Sequence, residues 1–455
     1  MGFMDEDYLL DSQAARDLYD AVADLPIIDP HNHVDLEEVV ENEPWDDIWA
    51  VEGASDHYVW QLMRKRGVEE EKITGEASNR AKWNALAEVF PDFAGNPTYD
   101  WVHLDLKRRF GIEKPLNADT ADEIWDETKA QLAEESMRPQ QVLGDMGVEV
   151  LCSSDDPTSD LAYHERAVEE VEGVDVRPTW RPDRAMKVEN AAWDEFVADL
   201  NDATDADVST FAGFLEGLRE THDYFAEHGC LACDVGTGTT PVSKPVSESR
   251  AAAIYRKARR GDAPTESEIR DFKAFMLEFV GELNSEKGWV TQLHIGAVRD
   301  YREALYEDVG INAGGDVSTP DVNVVDDLDY FFDRFDGETE TVLYVLDPTH
   351  YASATVVARA YPTVSIGPAW WFNDSPMGMA NQLERVANVD LLANHAGMVS
   401  DSRKLVSYGS RFEMFRRTLA STVGEMVEQG RIPRANAERL VRHVAYRRPK
   451  ELYGL

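Results

Sequence analysis

Leu25-Pro-Ile-Ile-Asp-Pro-His-Asn-His33 is the stretch on which the reading of the fold turns. A short apolar run with β-branched Ile27 and Ile28 ends in His31-Asn-His33. Such a run predicts a buried strand. Residues two apart on a strand share a face, so His31 and His33 aim two imidazoles at one point, as a divalent metal requires. The plainer reading is two polar residues leaving a strand end, and a motif as short as HxH arises that way too.

On the N-terminal side, Met1 to Asp24 reads as a helix, with Leu9, Leu10, Ala14, Leu18 and Val22 at helical spacing. On the other side, Val34 to about Gln140 holds few strand signals and several helical ones. Ser78 to Phe90 opens on a capping serine and carries Trp83, Leu86, Ala87 and Phe90 on one side. From Val148 onward β-branched runs alternate with helical stretches. The expected strands are Val148–Ser153, Asp175–Trp180, Leu231–Val235, Val290–Ile295, Thr341–Leu346, Thr363–Ile366 and Ala396–Ser400. With Ile27–Pro30 they predict an α/β protein, a distorted (β/α)8 TIM barrel with a helical insertion after the first strand. The expected division is 1–34 for the N-terminal helix and first strand, 35–140 for the insertion and 141–455 for the rest of the barrel. An open doubly wound sheet is the alternative, but no glycine-rich nucleotide motif follows any strand.

In such barrels chemistry sits at the C-terminal strand ends. Ser153, Ser154, Asp155 and Asp156 follow the second expected strand, Arg181 the third, Asp234 ends the fourth, and His294 then Arg299 mark the fifth. Asp347 to His350 follow the sixth, Trp370 to Asp374 the seventh, Asp401 and Arg403 the eighth. Closure of a barrel pairs its eighth strand with its first, which brings Asp401 to His31 and His33 as a metal site, with His294 as a fourth ligand or substrate contact. Arg181, Arg299 and Arg403 face the same mouth, and a guanidinium fork suits a carboxylate. Trp370 and Trp371 are an expected aromatic wall for a sugar face, or simply core.

The chain has 455 residues, 43% of them hydrophobic, and a net charge of −42. That charge argues against nucleic acid or an acidic membrane as a partner. Its 45 basic residues divide into 13 Lys and 32 Arg; abundant acid with scarce lysine fits a salt-loaded, halophilic cytoplasm, where screening makes self-repulsion tolerable. Three cysteines give no disulfide framework, and the lone Cys230-Leu-Ala-Cys233 pair reads as packing. The N-terminus lacks the pattern of a signal peptide, and no uncharged apolar run approaches a membrane span. A cytoplasmic homo-oligomer is expected.

The chain resembles the uronate isomerase (glucuronate isomerase) family, a branch of the amidohydrolase superfamily. The stretches that carry the likeness are Ile27 to His33, Asp56-His-Tyr-Val-Trp60, Gly95 to Lys107, Thr179-Trp-Arg-Pro-Asp183, Gln292-Leu-His-Ile-Gly-Ala297, Trp370-Trp-Phe-Asn-Asp374 and Gly397-Met-Val-Ser-Asp-Ser-Arg403. The resemblance implies conversion of D-glucuronate to D-fructuronate, and of D-galacturonate to D-tagaturonate. It implies His31, His33 and Asp401 as metal residues; two imidazoles and a carboxylate favour Zn2+, with Mn2+ the alternative. It also implies His57, Tyr58, Arg181, Asp234, His294, Arg299 and Arg403 as substrate and catalytic residues. On that basis Asp401 is the expected base, Tyr58 its hydroxyl relay and Arg403 the stabiliser of the developing charge. The chain departs from the family pattern at Asp234-Val235-Gly236, at Gly310–Gly314 and at Asn394-His395. A metal-dependent hydrolase on the same scaffold is the rival, kept open by His350; it needs a lysine or bridging acid after the fourth strand, and no lysine stands there.

Overall fold

The structure, a computed structural model, describes residues 2–238 and 240–455. β1 (Ile27–Asp29), β2 (Val148–Cys152) and β3 (Asp175–Arg177) form one parallel sheet in that order. β4 (Ala232–Thr237) and β5 (Val290–Ile295) begin a second. β6 (Ala297–Val298) and β7 (Val317–Ser318) make a short antiparallel ribbon beside it. β8 (Thr341–Val345) and β9 (Val364–Ile366) complete the second sheet, which runs β4-β5-β8-β9 and is parallel throughout. β5 and β8 are buried at every residue, as parallel strands covered on both faces must be. The fold is therefore mixed α/β with parallel sheets and helices between the strands.

Trp180 joins the two sheets. It bridges Asp155 on one side and Cys233 on the other, its backbone N–H donating to Ala232 O at 3.2 Å and its carbonyl accepting from Asp234 N–H at 3.0 Å. Gln292, on β5, donates its amide to Pro30 O at 3.0 Å and to the Tyr453 hydroxyl at 2.8 Å. The first sheet, the second and the C-terminal helix Arg448–Tyr453 thus meet around one buried amide.

Three expected elements are revised. Ala396–Ser400 forms no strand, although the segment does run between β9 and β1. Ala396 N–H donates to Ile366 O at 2.9 Å, and Asp401 N–H to His31 O at 3.2 Å. Gly397 and Asp401 both have positive φ, 91° and 46°, which breaks a regular ladder. Ser400 N–H is taken instead by the Asp29 carboxylate at 2.9 Å. The third strand stops at Arg177, because Pro178 has no N–H to continue the ladder. The N-terminal helix covers only Gln13–Asp20, capped by Ser12, whose side chain accepts from Ala15 N–H; the expected start at Met1 lies outside the described residues.

The segment 35–140 is helical. Helix Asn79–Val89 is capped by Ser78 as expected. Helix His57–Lys65 starts at Asp56, whose Oδ1 accepts from the backbone of Tyr58 at 2.8 Å and of Val59 at 3.3 Å. This cap presents His57 and Tyr58 at the first turn, and the turn lies against the end of the 396–402 segment.

Candidate active site

The residues after β1 leave the strand and turn, yet His31 and His33 still converge. His31 Nε2 lies 3.3 Å from Asp401 Oδ1, and His33 Nε2 lies 3.2 Å from the same oxygen. Three ligand atoms each ~2.1 Å from one ion would stand roughly 3.0–3.4 Å apart in tetrahedral or octahedral geometry, so the spacing fits a divalent metal. The second Asp401 oxygen, Oδ2, accepts the Trp370 indole N–H at 2.6 Å. Behind His31 lies a second convergence of His31, Asp234 and His294, all buried. There His31 Nδ1 is 3.6 Å from Asp234 Oδ2, and His294 Nδ1 is 2.7 Å from Asp234 Oδ1 but out of line for a hydrogen bond. Both ring nitrogens of His294 are buried without a hydrogen-bond partner, which suits ligation or a substrate contact.

The charges act unequally on the two imidazoles: burial works to lower His31, but Asp234 and Asp401 outweigh it and raise it above the ordinary value. Burial pushes the His33 imidazole down to about 4, leaving it neutral at ordinary pH, the form that binds a metal. Burial works to raise the Asp401 carboxyl, but the hydrogen bonds from His31 and His33 outweigh it and hold it well below the usual range. Burial likewise opposes ionisation of Asp234, and Arg181 and His294 overcome it. Burial, reinforced by Arg403, pushes His57 down to about 3, and its Nε2 has no partner.

These groups open into a hollow of about 420 Å³. His31, His33, His57, His294, Trp370 and Asp401 line it, as do Arg181, Arg299 and Arg403. A second hollow of similar size shares Arg181, His294, Arg299 and Trp370 and continues toward Thr237 and Lys273. Arg181 is committed to Asp234 at 3.1 Å and Asp183 at 3.4 Å. Arg299 reaches Asp316 at 3.4 Å and lies 4.3 Å over the Trp371 ring. Arg403 makes no ion pair among the described residues. Trp371 and Asp401 both hold left-handed backbone, at φ 52° and 46°, a costly conformation for non-glycine residues that gathers at functional sites.

Two expected residues stand apart from the hollow. Asp234 lies behind it, sealed under Arg181, His31 and His294 and accepting from Ser154 Oγ at 3.0 Å. Tyr58 is buried, stacked on His57 at 4.4 Å, and its hydroxyl has no hydrogen-bond partner. Trp370 lines the hollow although it is almost wholly buried, and its indole N–H is given to Asp401. His350, the residue that kept a hydrolase open, points to Pro320 O at 3.0 Å and does not line the hollow. Sequence reasoning missed Asp183, Arg184, Lys187 and Asn190, which come from the turn after Arg181, and Asp300, Ile311 and Asn312 from the β6–β7 region. The Arg181-Pro-Asp183 run held a usable signal. Counted together, five basic side chains of the lining face three acidic ones, in a chain whose net charge is −42.

The family described as glucuronate isomerase matches residues 1–453. A uronate isomerase of Thermotoga petrophila is 55% identical over 451 residues, 99% of each chain. The crystal structure of uronate isomerase from Thermotoga maritima superposes with a TM-score of 0.97 at 54% identity, covering 100% of both chains. That of glucuronate isomerase from Caulobacter crescentus gives 0.94 at 28% identity, covering 100% of this chain and 97% of the other. With nearly its whole length matched by each of them, the chain belongs to the glucuronate isomerase family.

Proposed function

We propose that this chain is a uronate isomerase that converts D-glucuronate to D-fructuronate and D-galacturonate to D-tagaturonate. The similarity to uronate isomerases along the full chain supports the reaction. The observation that carries the reading at the site is the Asp401 carboxylate set against two imidazoles in a hollow that Arg403, without an ion-pair partner among the described residues, also lines. The two parallel sheets, joined through Trp180 and by the 396–402 segment, are read as a distorted (β/α)8 barrel of amidohydrolase type.

In this reading Asp401 removes the C2 proton of the open-chain aldehyde. The C–H electron pair becomes the C1–C2 double bond of a cis-enediol as O1 takes up a proton. Asp401 then returns its proton to C1 while O2 loses its own and becomes the ketone. The Tyr58 hydroxyl, buried and without a hydrogen-bond partner, is read as the relay that serves Asp401 once substrate is bound. Arg403 balances charge developing on the enediol oxygens. Arg299, with Arg181 behind it, receives the C6 carboxylate. Neutral His57 and His294 donate to or accept from sugar hydroxyls, and Trp370 fixes the Asp401 carboxylate in rotation. A divalent metal, when bound by His31, His33 and Asp401, would orient a substrate oxygen and draw charge from it. Two nitrogens and a carboxylate oxygen favour Zn2+, with Mn2+ the alternative.

The hydrolase reading is not favoured. Asp234 is held by Arg181 at 3.1 Å and by the Ser154 hydroxyl at 3.0 Å rather than free to bridge metals, and His350 is turned away. The acidic exterior favours a halophilic host, and the chain is read as a cytoplasmic homo-oligomer; no helix among the described residues is long and apolar enough to cross a membrane. A coupled assay with both uronates, at several salt concentrations, tests the proposal. Ketose formation from at least one of them is expected; no turnover of either by metal-loaded protein contradicts it.

A further inference from the structure

Lys404 lies three residues beyond Asp401 and is 2% exposed in its side chain. Its ammonium meets three carboxyl groups from the insertion: Glu52 at 2.9 Å, Asp56 at 3.0 Å and Asp105 at 3.8 Å. Two of them lead elsewhere in the site. Asp56 uses Oδ2 for Lys404 and keeps Oδ1 for the backbone of Tyr58 and Val59. Asp105 also accepts from the hydroxyls of Ser407 and Ser410, on the helix that follows. On the other side, Lys404 belongs to a tightly bonded run. Its N–H donates to Ser402 Oγ at 3.1 Å, that hydroxyl donates to Lys404 O at 3.1 Å, and Ser402 N–H donates to Ser400 Oγ at 3.3 Å. Ser400 is in turn fixed to Asp29.

A buried ionic cluster of this kind adds little stability compared with apolar packing. Its physical effect is to fix a register between two segments that carry the reacting groups. The Asp56 cap starts the helix that offers His57 and Tyr58. The Ser400–Lys404 run offers Asp401 and Arg403. Among the described residues, the Lys404–Asp56 pair is the direct charged link between the cap and that run.

We propose that Lys404 is a positioning residue that sets His57 and Tyr58 against Asp401 and Arg403. The inference rests on the isomerase reading, since it concerns the geometry of that reaction. Lys404→Met removes the link; Asp56→Asn weakens it while keeping the helix cap, because Asn caps about as well as Asp. Both are purified with metal content and melting temperature measured, then assayed on the uronate that wild type turns over. A misplacement of about 1 Å costs up to ~10²-fold in rate, so kcat should fall at least about tenfold in each metal-loaded, folded variant, with KM changing less. The double variant should lose no more than the worse single one, because both cut the same link. Wild-type kcat in folded Lys404→Met would overturn the inference, as would losses that simply multiply in the double variant. If Lys404→Met does not fold, Asp56→Asn decides alone: reduced kcat at an unchanged melting temperature supports the inference, and wild-type kcat overturns it. Wild type that turns over neither uronate would speak against the isomerase reading itself, a result separable from active wild type with unimpaired variants.

Discussion

The Trp370 indole N–H donates to one oxygen of Asp401 at 2.6 Å while the other oxygen faces His31 and His33. One carboxylate is thereby held in rotation by a neutral donor, so its orientation persists whether or not the imidazoles carry charge. A hydrogen bond to an ionised group contributes roughly 1.5–3 kcal/mol. Trp370→Phe keeps an aromatic ring against His294 and removes the donor together with the five-membered ring. Its kcat/KM should fall by about tenfold or more, and the lost packing should lower the melting temperature as well. Unchanged kinetics in metal-loaded Trp370→Phe would show that Asp401 needs no such support.

Metal retention follows from the histidine pair. Replacing both His31 and His33 by Ala removes two of the three donors around Asp401 Oδ1. Stoichiometric divalent metal should be lost, as read by elemental analysis after gel filtration. Undiminished content in the double variant would remove this site from the account.

The net charge of −42 makes the fold sensitive to screening. The Debye length falls from about 30 Å at 0.01 M salt to about 3 Å at 1 M. The unfolding midpoint should therefore rise from dilute buffer to molar KCl. A flat midpoint across that range would contradict the halophilic reading.

Glu52 gives a pH test away from the reacting groups. Burial pushes its carboxyl from 4.5 up to about 8, against the pull of Lys404. The folded chain thus keeps a proton that the unfolded chain has released, and stability falls as pH rises toward the folded value. Between about pH 5 and 8, from the unfolded value to the folded one, the melting temperature of wild type should drop more steeply than that of Glu52→Gln, which has no proton to lose. Parallel curves would mean that Glu52 is already ionised in the folded chain.

β5 and β8 were legible because each is a short apolar run buried at every residue, and β5 ran over the residues expected. The pairing of Asp401 with His31 and His33 was legible from the idea of closure. The bonds that achieve it were not: Ser400 is tied to the Asp29 side chain, and positive φ at Gly397 and Asp401 leaves no strand pattern to read. His57 and Tyr58 were assigned through the family resemblance alone, since nothing in a helical insertion announces which turn will face the mouth. Asp183 opens a helix of four residues, Asp183–Met186, and Lys187 ends it, too short a stretch to show a period. Lys404 reads as a surface lysine after Asp-Ser-Arg, and only the approach of Glu52, Asp56 and Asp105 from 300 to 350 residues away makes it a buried cation.

The central claim is that Asp401 carries the proton between C2 and C1. Asp401→Asn keeps size and removes the base, and a positioned base contributes typically 10²–10⁴ in rate. Because Asp401 also faces the metal site, loss of activity by itself would not separate the two roles. The direct measurement is exchange of the substrate C2 hydrogen with solvent deuterium, followed by NMR on enzyme of verified metal content. The account predicts that metal-loaded Asp401→Asn loses exchange and turnover together, by at least about two orders of magnitude. Exchange and turnover at the wild-type rate in that variant would contradict it.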